Sequence, residues 1–380
     1  MLAQLRFPVA QSRGRRYPEP PHPYRNPFQR DRDRVVHARA FRRLEAKTQV
    51  FTPGISDHFR NRLTHTIEVS QIARTVASVL QLDEDLTEAL ALVHDIGHPP
   101  FAHAGEEELN RQMARFGESF DHNLHALRLV ENFEQRYARF PGLNLTFEVR
   151  EGMVKHSRDF EPGEIPELDS YLPGLRPPLE AQLIDLADEV AYNTADLDDA
   201  FSAEMLTAED VAACVPDYAG ILETVETQFP GASSRERFNE SLRHLIDQLV
   251  SGLIEGTVEA ARQAQVRGSE DVWAFPRRLA VFTPQAAETT RQLKCFLHSH
   301  VYDAPALLEG RSRSVLMVGE LFQFLVERPE RLPENYQEQA AHAPVYRVVC
   351  DYIAGMTDGF FRRIYQQHVG NERAITPPLT

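Results

Sequence analysis

The sequence predicts an all-α protein, and three observations carry that prediction. Apolar residues recur at helical spacing in most segments, as in Leu86, Leu90 and Val93. No stretch alternates polar and apolar residues in the manner of a half-buried strand, and no internal repeat stands out. Prolines and glycines fall between the periodic runs, at Pro53-Gly54, Pro99-Pro100 and Gly142, where they stop one helix before the next begins.

Composition narrows the class further. The chain is 42% hydrophobic and 26% charged, which fits a folded globular protein and not a disordered one. No apolar run reaches the roughly 18 residues that a membrane span needs, and no apolar core of a secretory signal follows Met1. Cys214, Cys295 and Cys350 lie far apart without metal-type spacing, so buried free thiols and a cytoplasmic location are expected. The net charge of −15 argues against nucleic-acid binding by the whole surface. Residues 1–62 run the other way, with fourteen Arg or Lys against five Asp or Glu. A local anion site or a solvated basic arm are the two readings of that segment.

Three regions are expected in order. Residues 1–29 hold Pro18, Pro20, Pro21, Pro23 and Pro27 and read as an extended basic arm. Residues 30–205 read as the core domain. Val35, Ala38, Phe41 and Leu44 give its first helix an apolar stripe. A second helix starts near Asn61, with Leu63, Ile67, Val76 and Val79 near one face, helped by Ile72 and Leu80. A third follows Asp83, and another opens at Phe120–Asn123. A short helix ends in Lys155-His156, and the Pro- and acid-rich residues 160–178 read as a long loop. Residues 206–380 continue as helices near 207–214, 233–265, 283–302, 306–327 and 344–367, packed on the core.

The chemistry concentrates in Leu90–Phe101. An apolar helical run ends in His94-Asp95, and Gly97 and Pro99-Pro100 stop it. His65 lies in the first turns of the preceding helix, three residues after Arg62. Far along the chain, Asp188, Tyr192 and Asp196 are spaced i, i+4, i+8 and share one helix face among small and apolar neighbours. Buried acids need a metal or other partners. Alone, each residue reads as a cap, a core histidine or a solvated acid. Together, two imidazoles and two carboxylates make a mixed nitrogen and oxygen set. That set suits Mn2+, Fe2+, Co2+, Ni2+ or Zn2+, and Mg2+ less well.

The order His65, His94-Asp95, Asp188 resembles the motif of the HD metal-dependent phosphohydrolases. The likeness extends over roughly residues 24–360, through Ala40–Leu44, Lys47–Phe51, Arg62–Thr66, His94–Phe101, His103–Glu106, Leu186–Tyr192 and Asp351–Asp358. These stretches are similar to the bacterial deoxyguanosine triphosphate triphosphohydrolases. The resemblance implies an HD phosphohydrolase fold with additional C-terminal helices. It also implies release of whole inorganic triphosphate from a deoxynucleoside triphosphate, with Mn2+ the favoured cofactor.

By the same resemblance His65, His94, Asp95 and Asp188 hold the metal. His103 and Glu106 form a catalytic pair, His122 completes its proton relay, and His98 supports the site from behind. For the substrate, Arg62 is placed to reach phosphate, its planar fork suiting phosphate oxygens, and Lys155 is a further phosphate candidate by position. Tyr192 is expected beneath the sugar, Asp196 and Gln49 at its hydroxyl, and the base contacts in the C-terminal helices and the 160–178 loop. Asp121 stands where the family often has Glu. The family also implies a homo-oligomer, often a hexamer. An activating nucleotide is a possible partner, although a regulatory N-terminal domain like that of the animal relatives is not visible. Two rivals are another HD nucleotide hydrolase, either a 5′-nucleotidase or a phosphodiesterase, and a nucleotide-sensing or single-strand DNA-binding module. The intact His103/Glu106 pair disfavours a pure sensor.

Overall fold

Seventeen α-helices follow one another in the computed structural model, which describes residues 1–50 and 59–370. Among the described residues β-structure is limited to three isolated bridges. The Pro53-Gly54 turn and Phe51 lie outside the described residues. In chain order the helices are α1 (Pro27–Val36), α2 (Arg39–Arg43), α3 (Arg62–Leu80), α4 (Glu84–Val93), α5 (Ala102–Ala114) and α6 (His122–Arg128). Then come α7 (Phe147–Val154), α8 (Leu179–Ser202), α9 (Ala208–Cys214), α10 (Pro216–Gln228), α11 (Ser234–Ala264) and α12 (Ser269–Ala274). The last five are α13 (Pro284–Leu297), α14 (Pro305–Glu327), α15 (Glu334–Ala340), α16 (Val345–Ala354) and α17 (Asp358–Tyr365).

Local chemistry sets the helix starts that matter for the site. The Asn61 side chain accepts from Thr64 N and caps α3, and Asp83 does the same for α4 through Leu86 N. Asp121 caps α6 through Leu124 N. The expected stripe Val35, Ala38, Phe41 and Leu44 is buried, but the chain breaks between α1 and α2. On α3 the buried face is Val69, Ile72, Ala73, Val76, Ala77 and Leu80, whereas Ile67 and Val79 are exposed.

Two packing units meet at the site. α3, α4 and α8 pack on one another within the larger core cluster. α5 packs instead on α14 and α16, in a second cluster that includes Phe101, Leu109, Met113, Phe322, Ile353 and Phe361. Each fully buried Leu or Phe in these clusters contributes about 1.5–3 kcal/mol.

Several expectations are corrected here. The N-terminal segment is not a free arm, because Leu2, Leu5 and Phe7 are buried against the core. Part of the charge of the basic segment 1–62 is met within the chain: Arg6 pairs with Asp83 at 2.7 Å, Arg15 with Asp31 at 2.5 Å and Arg34 with Glu19 at 2.6 Å. The 160–178 stretch contains a 3-10 helix at Pro166–Tyr171. The helix expected over 344–367 breaks at Gly355–Thr357, and α5, α10, α12 and α15 were not anticipated. Cys350 is buried, but Cys214 and Cys295 are exposed. No described helix is long and apolar enough to cross a membrane.

Glu180 anchors the N-terminal segment. Its Oε1 accepts from Phe7 N at 2.8 Å and Asp83 N at 3.0 Å, and the side chain is fully buried. Burial outweighs those two hydrogen bonds and pushes its pKa up to about 7. The folded state therefore holds the proton more tightly than the unfolded chain. The resulting stabilisation, about 3 kcal/mol, is fully present below the ordinary Glu range and lost as pH rises through about 7. Glu180→Gln should match the wild type in urea titrations at pH 5 and exceed it at pH 8. Parallel stability curves for the two proteins would show an ordinary carboxyl group instead.

Candidate active site

α3, α4 and α8 each bring one ligand to a common point. His65, on the buried face of α3, places Nε2 2.7 Å from Asp188 Oδ1 on α8. His94 follows the last turn of α4, and its Nδ1 lies 2.6 Å from the Ala91 carbonyl. That contact fixes the ring and leaves Nε2 facing inward, 3.8 Å from Asp188 Oδ1. The ligand atoms of His65, His94 and Asp188 all lie within 4.8 Å of one another. His94 Nε2 and His65 Nδ1 are buried without a hydrogen-bond partner. An unpaired buried imidazole nitrogen beside a carboxylate fits a divalent cation as its missing partner.

Asp95 lies at the edge of this trio. Its Oδ1 is 3.7 Å from His94 Nε2 and 3.0 Å from His98 Nε2, and its Oδ2 accepts from Arg62 Nη1 at 2.6 Å. Both oxygens thus have protein partners, and Arg62 holds the carboxylate next to the expected phosphate position. Burial opposes the charge on Asp95, but Arg62, His98 and His94 overcome it and hold its pKa well below the usual range. His65 shows the same competition: burial opposes its protonation, and the Asp188 contact outweighs burial and raises its pKa.

Gly97 brings the second group of residues in. A Cβ there would lie 2.0 Å from the His122 carbonyl and 2.6 Å from Ala126 N, so only glycine lets α6 dock on this turn. As a result the His98 and His122 rings stack at 3.9 Å. His122 Nδ1 and its backbone N lie 2.7 and 3.1 Å from Glu106 Oε1. His103 Nδ1 is 3.7 Å from the other oxygen of Glu106. Burial pushes against the Glu106 charge, but His103 and His122 together hold its pKa far below the ordinary range. Glu106 is therefore a fixed anion between two imidazoles.

A cavity of roughly 360 Å3 opens beside these groups. Gln49, Val50, His103, Tyr192, Tyr302 and Arg311 are among its lining residues. Gln49 Oε1 is buried and unpaired, so it can accept from a ligand hydroxyl. The His65 and Tyr192 rings are edge to face at 6.4 Å, which joins the cavity to the metal cluster. Asp196 already accepts a short hydrogen bond from the Tyr302 hydroxyl, a protein partner where a sugar hydroxyl was expected. Burial outweighs that bond and pushes Asp196 up to about 7.

Lys155 is corrected outright. Its Nζ donates to Glu151 at 2.7 Å and to the Leu172 and Leu175 carbonyls at 2.9 Å each, inside a buried pocket. Those bonds occupy its three donors, so it pins the 160–178 stretch and has no donor for phosphate. That stretch contributes nothing to the cavity lining, whereas α14 and the turn before it do.

Sequence reasoning missed His156. Its Nδ1 contacts Asp185 at 2.6 Å, its Nε2 is 3.9 Å from Asp188 Oδ2, and its ring is 5.2 Å from His94. Arg278 pairs with Asp185 from the far side. Tyr302 and His298, on the turn after α13, were also missed. The acids of α8 were visible in the sequence, but the partners of Asp185 and Asp196, which are His156, Arg278 and Tyr302, come from segments with no motif around them.

Fold and site together define an all-α protein with a candidate divalent-metal centre beside a cavity. Residues 62–193 match the HD domain family and residues 280–367 the phosphohydrolase-associated domain. A deoxyguanosinetriphosphate triphosphohydrolase-like protein of Ralstonia nicotianae is 44% identical, over 97% of this chain and 95% of its own length. Proteins of the same description from Geobacter metallireducens and Geobacter sulfurreducens are 40% and 42% identical, over 97% and 94% of this chain and 96% and 93% of their own lengths. The chain belongs to the HD-domain hydrolases, among the deoxyguanosinetriphosphate triphosphohydrolase-like proteins.

Proposed function

We propose that the protein hydrolyses a deoxynucleoside triphosphate, with dGTP preferred, to the deoxynucleoside and inorganic triphosphate. The observation that carries this reading is one cavity lined both by His103, which leads through Glu106 to His122, and by Tyr192, whose ring meets His65 of the His65/His94/Asp188 cluster. His65, His94 and Asp188, with Asp95 alongside, would hold a divalent cation; the mixed donor set suits Mn2+, Fe2+, Co2+, Ni2+ or Zn2+, and the family resemblance favours Mn2+ among them. When bound, the cation supplies Lewis-acid stabilisation of phosphoryl charge and lowers the pKa of water.

The protein's own groups do the rest. Arg62 holds Asp95 and adds positive charge beside the phosphates. Gln49 Oε1 accepts from the 3′-hydroxyl, and Tyr192 lies under the deoxyribose where a 2′-hydroxyl would collide. Water adds to the α-phosphorus, the bond to the 5′-oxygen breaks, and His103 gives that oxygen its proton. Glu106 keeps His103 oriented, with His122 behind it.

Base choice follows from the cavity mouth. Glu107 on α5 and Arg311 on α14 pair there at 2.7 and 2.8 Å and both line the cavity. A guanidinium matches O6 and N7 of guanine, and a carboxylate matches its N1 and N2 donors. Arg6, Arg15 and Arg34 of the basic N-terminal segment are paired with acids of the same chain, which weighs against a DNA-binding role for those three. Homo-oligomer formation, hexameric by the family resemblance, belongs to the same reading.

The test is phosphorus NMR of products after incubation with each deoxynucleoside triphosphate and Mn2+. Inorganic triphosphate, released fastest from dGTP, is the expected result. Glu107→Gln should then narrow the gap between dGTP and the other three. Stepwise monophosphate release would assign a different phosphatase chemistry.

A further inference from the structure

The Asp351–Asp358 stretch resembles the family yet has no role in the mechanism above, and the structure shows it gripping three parts of the site. At one end, Asp351 Oδ1 lies 3.2 Å from His125 Nδ1, on the helix that carries His122. In the middle, the Gly355 carbonyl accepts from Arg43 Nη1 at 2.7 Å, and the Ala354 carbonyl accepts from Lys47 Nζ at 3.2 Å. Lys47 Nζ also donates to the His98 carbonyl.

The far end is the more informative. Asp358 Oδ2 accepts from Thr48 N at 3.0 Å and from the Thr48 hydroxyl, next to Gln49. Its Oδ1 accepts from Phe101 N at 3.1 Å. Phe101 and Ala102 are both left-handed, at φ 64° and 54°, immediately before His103. Two successive non-glycine residues in that region are strained and persist only where the surroundings hold them. α17 supplies that hold three times over. Besides the Asp358 bond, the Phe361 ring meets the Phe101 ring edge to face at 5.0 Å, and the Arg362 guanidinium lies 5.0 Å above it.

We propose that Asp358 is a positioning residue for hydrolysis: one carboxylate, from the C-terminal region, sets the turn that aims His103 and the segment that carries Gln49. The proton donor and the sugar contact are thereby fixed relative to each other, although they belong to parts of the chain more than fifty residues apart. This inference rests on the proposed function for the role of His103, but the coupling of the two segments stands on geometry alone.

Asp358→Asn replaces one of the two acceptor oxygens by an amide that cannot accept. It should lower kcat for dGTP by about 100-fold, the scale of a 1 Å misplacement, and raise KM as well. Thr48→Val removes only the hydroxyl bond, leaves the Phe101 bond in place, and should raise KM with little change in kcat. Hydrogen–deuterium exchange of the full-length protein supplies the second measurement and needs no turnover. In Asp358→Asn, residues 44–50 and 100–106 should exchange faster together, with α3 and α8 unchanged; in Thr48→Val only residues 44–50 should. Wild-type kcat and KM in Asp358→Asn, or faster exchange confined to α17, would overturn the proposal. If Asp358→Asn unfolds, the split between kcat and KM in Thr48→Val and its exchange pattern still decide. If the wild type releases no triphosphate, the proposed function fails, and exchange alone decides the coupling.

Discussion

His103→Ala is expected to lower kcat for dGTP by about 100- to 10,000-fold, the usual worth of a positioned general acid, while nucleotide binding persists. The reason is the order of groups along the chain of contacts. His103 lines the cavity, its imidazole is largely exposed to it, and Glu106 stands behind it at 3.7 Å. His122 is further back, held by Glu106 at 2.7 Å and stacked on His98. Only His103 is therefore placed to touch the leaving 5′-oxygen. His122 acts through Glu106, so His122→Ala should lose less. Single-turnover kinetics with separate binding of a non-hydrolysable analogue would measure both. If His122→Ala proves the more damaging, the tighter His122–Glu106 pair is the acid and the roles exchange.

Much of this site was legible from the sequence because its residues lie in local patterns. The His94-Asp95 pair sits at a helix end marked by Gly97 and Pro99-Pro100, and Asp188, Tyr192 and Asp196 share a face by simple periodicity. α3 and α4 start where the sequence reading puts them, near Asn61 and after Asp83, and both residues prove to be caps. What stayed hidden depends on the partner across space. Lys155 looked like a free cation because the sequence does not show the carbonyls of Leu172 and Leu175 folding over it. His156 looked incidental because Asp185 and Arg278, which hold it in place, are far from it in sequence. The exposed Ile67 and Val79 were misjudged because the buried face of α3 includes Ala73 and Ala77, whose small side chains give little hydrophobic signal. The N-terminal arginines looked like a binding surface because charge counts do not show which acids they meet.

His94→Ala is expected to remove tight metal binding, with a loss of affinity greater than about 100-fold, beyond the range typical of outer-sphere changes. His94 has no compensating neighbour. His65 is already engaged by Asp188, and Asp95 has one oxygen on Arg62 and the other near His98. His156, the nearest remaining imidazole, is turned to Asp185 by its Nδ1. A cation left in the cluster would thus face one imidazole and one carboxylate with an empty wall where His94 had been. The readout is thermal unfolding with and without Mn2+. A cation that binds only the folded state stabilises it by about 2.7 kcal/mol at a concentration 100 times its Kd, which raises Tm. The wild type should show that rise and His94→Ala should not, even though His94→Ala without metal should unfold cooperatively, since its cavity is small and polar. An equal Mn2+-induced rise in both proteins would place the cation elsewhere, and the trio of His98, Glu106 and His122, whose ligand atoms also lie within 4.8 Å of one another, would be the next site to mutate.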